Sequence, residues 1–247
     1  MASPRLPTKS DFPPNITLDI VPPSTGRPIN ILILLHGLGD TQTSFTSLGT
    51  NLNLPETCCI SIRGPNPIPP LFTGSEDPAF TWGDDVLFDE DRGELDLDSG
   101  FERCRTMVLD SVITSVLVGK CAYPPRHILF LGFGQGGMAA LSLCSSASDL
   151  EFGGVISIAG RLPRSARKET ETKCKTPVLL LGGSRSSEVT SSRVREVRER
   201  FQDVEYVKWA KSEDSMPRSR EEMLPIMKFF ARRLRSRAGV PEGAVEV

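Results

Sequence analysis

Histidine is scarce in this sequence: 247 residues carry two, His36 and His127, and none lies beyond position 127. That is the most restrictive feature of the composition, because any imidazole base must be one of these two. Long apolar runs are missing as well, and none approaches the roughly 20 residues that cross a bilayer as a helix. Met1 to Asn15 holds prolines and charges but no signal-peptide core, so cytoplasmic residence is expected. A charge excess is also lacking. The formal net charge of -2 gives no reason to expect nucleic acid as a partner. The six cysteines show neither metal nor disulfide spacing. Cys58 and Cys59 fall in an apolar strand, Cys104 and Cys144 in expected helices. They read as small buried hydrophobes in a reducing compartment. Asp89-Glu90-Asp91-Arg92-Gly93 approaches a calcium loop, but its glycine comes one place early and the closing glutamate is absent. Neither a metal nor a cofactor is expected.

What is present is ordinary in bulk. A hydrophobic fraction of 38% and a charged fraction of 24% suit one soluble domain with a sizeable core. Residues 1–14 read as a flexible N-terminus, 15–237 as a single domain and 238–247 as a disordered tail. Ile16 to Ile20 alternates like an edge strand. Ile29 to Leu35 is nearly all apolar, as expected of a strand covered on both faces, and leads into His36-Gly37-Leu38-Gly39-Asp40-Thr41. A helix is expected over Ser44 to Leu54 and a strand over Thr57 to Ile62. Residues 63–98 form a long irregular, lid-like loop rich in proline, glycine and acids. Ser99-Gly100-Phe101-Glu102 has capping-box form and opens a helix to about Lys120, with Phe101, Cys104, Val108, Val112 and Val116 on its buried face. Further strands are expected at His127 to Leu131, Gly154 to Ile158, Thr176 to Leu181 and Val204 to Trp209. Helices lie between them, and Met223, Ile226 or Met227, Phe230 and Leu234 line a closing one. Alternating strands and helices predict an α/β fold: a doubly wound, mostly parallel sheet with helices on both faces. Arg232, Arg233, Arg235 and Arg237 end the last helix. There they complement the helix dipole or, alternatively, form a membrane-surface patch.

The chain is organised around Leu129-Phe130-Leu131-Gly132-Phe133-Gly134-Gln135-Gly136-Gly137-Met138, an apolar strand running through a glycine-dense turn into a helix. This is the setting of a nucleophile elbow, G-x-S-x-G, with Gly134 in the nucleophile's place. Gly132, Gly134 and Gly137 also spell the dinucleotide fingerprint G-x-G-x-x-G. That alternative needs an acid at the carboxyl end of the next strand, whereas Asp149 and Glu151 precede it.

With these motifs placed, the chain resembles the phospholipase/carboxylesterase group of α/β-hydrolases, and within it the acyl-protein thioesterases. The resemblance rests on His36-Gly37-Leu38-Gly39-Asp40-Thr41, Trp82 followed by Asp84, Asp98-Ser99-Gly100 and the elbow. It covers nearly the whole chain in order. It implies an α/β-hydrolase fold, an oxyanion hole from the backbone amides of Leu38 and Gln135, and a pocket near His36, Gly37, Trp82, Asp84, Gly132 and Gly136. It also places Gly134, Ser186 and Met216 at the positions of the catalytic serine, acid and histidine.

His127 cannot replace that histidine. It precedes the strand that the elbow follows, so about five residues at 3.3 Å separate them by roughly 16 Å. A base must come within about 3 Å of its proton. Cys144 lies ten residues into the elbow helix, too far along a rise of about 1.5 Å per residue to serve as nucleophile. The expected function is therefore that of a non-catalytic member of the group, binding a small acyl or ester ligand or a lipid-modified protein. The alternative is a still-active esterase or thioesterase in which His36, aided by Asp40, Asp84 or Asp85, activates water. Dinucleotide binding is the third reading.

Overall fold

The computed structural model describes residues 4–24, 27–89, 93–166, 172–185 and 187–237. Its central sheet has seven strands: β1 (Leu18–Val21), β2 (Asn30–Leu35), β3 (Thr57–Ile62), β8 (Ile128–Phe133), β9 (Gly154–Ile158), β10 (Val178–Gly182) and β11 (Val204–Lys208). Their order is β1-β3-β2-β8-β9-β10-β11. β1 pairs antiparallel with β3, and every other pair in the sheet is parallel. The expected doubly wound, mostly parallel sheet is what forms.

The period of two explains the layers. On β2, Ile31, Ile33 and Leu35 enter one apolar cluster, while Leu32 and Leu34 enter the other. Ile128 and Phe130 of β8 take the first face and Leu129 and Leu131 the second, and β10 repeats the pattern. Strands buried on both faces need apolar residues at every position, and each fully buried Leu or Ile contributes about 1.5–3 kcal/mol. Helices α4 (Gln135–Ser146) and α5 (Ser191–Arg200) cover the first face. Helices α1 (Gln42–Leu52) and α6 (Arg220–Arg233) cover the second.

The helix expected from Ser99 departs from that expectation in two respects. It begins as α3 (Glu102–Cys104) and continues as a π-helix over Arg105–Val118. Its buried pairs, Val108/Leu109, Val112/Ile113 and Val116/Leu117, recur every four residues. That spacing suits the wider turn of i→i+5 bonding better than a period of 3.6. The capping box does not form. Asp84 takes that role from outside, its carboxylate accepting from the amides of Glu102 (2.9 Å) and Arg103 (2.7 Å). Ser99 Oγ is drawn instead to the Asp85 carbonyl, at 2.6 Å.

Three further expectations are corrected or set aside. Within residues 4–14, Arg5 pairs with Asp11 at 2.6 Å, and Phe12 is buried in the first cluster. The long loop is not irregular throughout. It holds an antiparallel pair β4 (Asn66–Pro67) and β5 (Phe80–Thr81) with a short helix α2 (Pro70–Thr73) between them, then a second pair β6 (Phe88–Asp89) and β7 (Glu94–Leu95). The tail at 238–247 lies outside the described residues. No helix among the described residues is long and apolar enough to cross a membrane.

Candidate ligand site at the elbow

All the parallel strands end at the same edge, where ligands of open α/β sheets bind. There β2 and β8 run in register, with Leu35 opposite Gly132, and the turn into α4 follows at once. Gly134 adopts φ 53° and ψ -119°, a conformation that burdens any residue with a Cβ. The turn is held from both sides: Gly134 N–H donates to Ile158 O (2.8 Å) and Met138 N–H to Gly134 O (3.1 Å).

Its neighbours are glycine for a different reason, close approach. A Cβ at Gly132 would collide with the Gly136 backbone, and one at Gly136 with the carbonyl oxygens of Leu35 and His36. A Cβ built on Gly134, by contrast, meets nothing within 4 Å. The apex of the elbow therefore opens on free space. The N–H groups of Leu38 and Gln135, on the two loops that meet here, donate to no partner among the described residues. For Gln135 this follows from its place in the first turn of α4, where amides have no intrahelical acceptor. An unpaired backbone N–H is the kind of donor that can hold a carbonyl or carboxylate oxygen.

Several residues expected to line the pocket instead hold it together. His36 is fully buried. Its Nε2 accepts from Gly64 N–H (2.9 Å), which places the ring proton on Nδ1 for donation to Gly37 O (2.7 Å). Burial holds this imidazole below its ordinary value. The Gly37 carbonyl and Asp40 oppose that shift, and Arg63 adds to it. Both ring nitrogens are thus committed to backbone, which leaves none to take a proton from water. Two of the three carboxylates expected to assist it are committed too, while Asp85 is exposed. Asp40 accepts from Thr41 N–H (2.7 Å) and Ser44 Oγ (2.5 Å), and Asp84 caps α3. Trp82 is also fully buried and braces the turn rather than facing a ligand, its Nε1 donating to His36 O at 2.8 Å.

Gln135 joins the elbow to the long loop. Its buried Oε1 accepts from Thr81 Oγ1 and Trp82 N–H, both at 2.9 Å, and Nε2 donates to Leu97 O at 3.3 Å. Gly37 packs against the Phe133 ring.

Met216 lies in the loop after β11, half-buried against the second cluster. Ser186 lies outside the described residues. Around them is a framework that the sequence reading missed. The Asp214 carboxylate accepts from Gly183 N–H and Glu188 N–H, both at 2.8 Å, and so fastens the loop after β10 to the loop after β11. Lys211 lies over the Trp209 ring and donates to Ser215 O (2.7 Å), Met216 O (3.1 Å) and Glu222 Oε2 (3.2 Å). Arg161, just past β9, forms a buried ion pair with Asp98 (2.9 Å) and a half-buried one with Glu188 (3.2 Å). An arginine three residues beyond an apolar strand was a readable sign of a buried partner. Asp214 carried no such sign.

His127 sits in a turn at the start of β8, at the sheet's opposite edge, with Nδ1 3.1 Å from Ile29 O. Cys144 is fully buried, and desolvation raises its thiol well above the ordinary range.

Comparison with known proteins agrees with this architecture. A family model described as Phospholipase/Carboxylesterase matches residues 18–234. An uncharacterized hydrolase of Schizosaccharomyces pombe is 40% identical over 139 residues, which is 55% of either chain, so the match spans about half of that relative. Among solved structures, esterase PE8 superposes with a TM-score of 0.68 at 18% identity, covering 89% of this chain and 99% of its own. Acyl-protein thioesterase 2 of Zea mays gives 0.62 at 19% identity, with the same coverage. At such identities the structural likeness is one of fold.

Proposed function

The chain belongs to the phospholipase/carboxylesterase family of α/β-hydrolases, and we propose that it is a member that binds an acyl, ester or thioester ligand at the elbow without triad turnover. The observation that carries this reading is Gly134: an elbow backbone kept in its demanding conformation, open space where a nucleophile would stand, and the amides of Leu38 and Gln135 without a partner among the described residues. The amides are backbone groups, so they survive any change of side chain. Covalent acyl transfer needs a hydroxyl or thiol beside a base, and no histidine follows position 127 to supply one. Loss of a single triad member already leaves only about 10³–10⁴ over water, from the oxyanion hole and binding.

The test is hydrolysis of an acyl thioester and of a short p-nitrophenyl ester by the purified protein, alongside binding of a ketone analogue of the thioester. The expected result is a hydrolysis rate equal to buffer with measurable binding of the ketone. A wild-type rate above buffer that His36→Gln abolishes, in a variant that still folds, would refute the reading in favour of water activation by His36. Gly134→Ser should remain unlabelled by a fluorophosphonate probe, since no base stands ready to deprotonate it. Ready labelling would mean that a base had been overlooked.

A further inference from the structure

The closing helix α6 buries one face and leaves the opposite one bare. Ile226, Phe229 and Phe230 enter the second apolar cluster. Of the two residues offered for its lining, Ile226 thus turns inward and Met227 outward. Met227 (40% exposed) and Leu224 (48%) are three residues apart in sequence, which sets them side by side on the helix surface. Arg220 and Ala231, both exposed, extend their row to i, i+4, i+7 and i+11, the spacing of a helix–helix seam. The row lies entirely within Arg220–Arg233. Along one flank of it, away from Met223 and Phe230, stand Glu221 and Lys228, both exposed. Neither forms an ion pair among the described residues.

We propose that this face is a self-association surface, on which α6 of one copy packs antiparallel against α6 of a second. The charges select both the occupant and the direction. A two-fold axis midway along the row sets Leu224 of each copy against Met227 of the other. The same axis keeps the charged flanks together, so Glu221 of each copy meets Lys228 of the other. A parallel pairing would set glutamate against glutamate and lysine against lysine. Arg220 falls opposite Ala231, whose small side chain leaves room for the arginine's aliphatic stem. The contact is isologous, so it closes at two copies and does not grow into chains. An anionic membrane fits less well, because it repels Glu221, and Arg232 and Arg233 are already paired with Glu205 and Asp203. A helix face about 21 Å long and 10 Å wide falls short of the roughly 800 Å² per partner of stable complexes. The dimer is therefore a weak one, and it does not depend on what fills the elbow.

The experiment is sedimentation equilibrium of the full chain at about 1 to 300 μM, the range of weak association. The average mass should rise from 27.0 kDa towards twice that value. Leu224→Ser/Met227→Ser alters only exposed positions, should keep the thermal melt, and should weaken association about tenfold or more. Glu221→Lys and Lys228→Glu should each weaken it about threefold or more, since each brings like charges together across the seam. An equimolar mixture of these two variants is the decisive arm. The mixed pair has opposite charges at both contacts and should associate at least as well as wild type. A mass that stays at 27.0 kDa throughout would overturn the proposal. So would a mixture no better than its components, or association that the double serine variant retains. Co-sedimentation of the monomer with phosphatidylserine vesicles, abolished in that variant, would assign the face to a membrane instead.

Discussion

A methyl group at Gly136 would drive into the carbonyls of Leu35 and His36, so Gly136→Ala has to push β2 and α4 apart. Its expected cost is above about 4 kcal/mol, measurable as loss of the cooperative melt. Gly134→Ser, two residues away, meets open space and should cost only about 1–3 kcal/mol, the strain of its backbone angles. Equal losses in the two variants would mean that close approach does not separate these glycines. His36 makes a prediction in pH. Its folded value lies below the unfolded 6.5, so the unfolded chain binds the extra proton and stability rises with pH across that interval. The contribution is complete above pH 6.5 and is lost as pH falls through the folded value. Wild-type Tm should therefore drop on acidification below pH 6.5, and His36→Gln should show a flatter profile from a lower starting point. Such residue-level roles were only partly legible in the sequence. The glycine frame was readable because spacing alone defines an elbow. The engagement of both His36 nitrogens was not, because Gly64 approaches from 28 residues away.

Arg161 links three elements, the end of β9, the long loop through Asp98 and the loop after β10 through Glu188. The side chains of Arg161 and Asp98 are 7% and 4% exposed, so removing the cation strands a buried carboxylate. Arg161→Met should cost about 3–5 kcal/mol, and adding Asp98→Leu should recover most of it, as read from denaturant midpoints. If the double variant is no better than the single one, the pair is not the connection. The elements themselves were largely readable, because a strand buried on both faces must be a continuous apolar run. Ile29 to Leu35 and Thr176 to Leu181 could be little else. The long loop misled because its strands are two residues each, too short for alternation to register. The first helix also starts at Gln42 rather than Ser44, capped by the Thr41 side chain on Thr43 N–H. The polar residues that begin it show no apolar periodicity.

The whole chain closes over its sulfur. All six cysteines are buried, none more than 2% exposed, and desolvation lifts the Cys58 and Cys59 thiols to about 12. A native thiol titration at neutral pH should count essentially none. Denaturant should release all six together with the loss of secondary structure; release of some before that transition would show that the two apolar clusters open separately. The mostly parallel sheet follows from alternation of strands and helices, which is why the fold was accessible without coordinates. The stitching by Asp214 and Lys211 was not, because it depends on which loops meet at the sheet edge. One side chain has a consequence on this scale. Gln135 offers its backbone N–H at the elbow while its amide group holds Thr81, Trp82 and Leu97 of the long loop. An oxygen bound at the elbow and the placement of the long loop would then act on one residue from its two ends. Coupling of that kind is reciprocal: if a bound oxygen steadies the loop, a steadied loop favours the bound oxygen by the same factor.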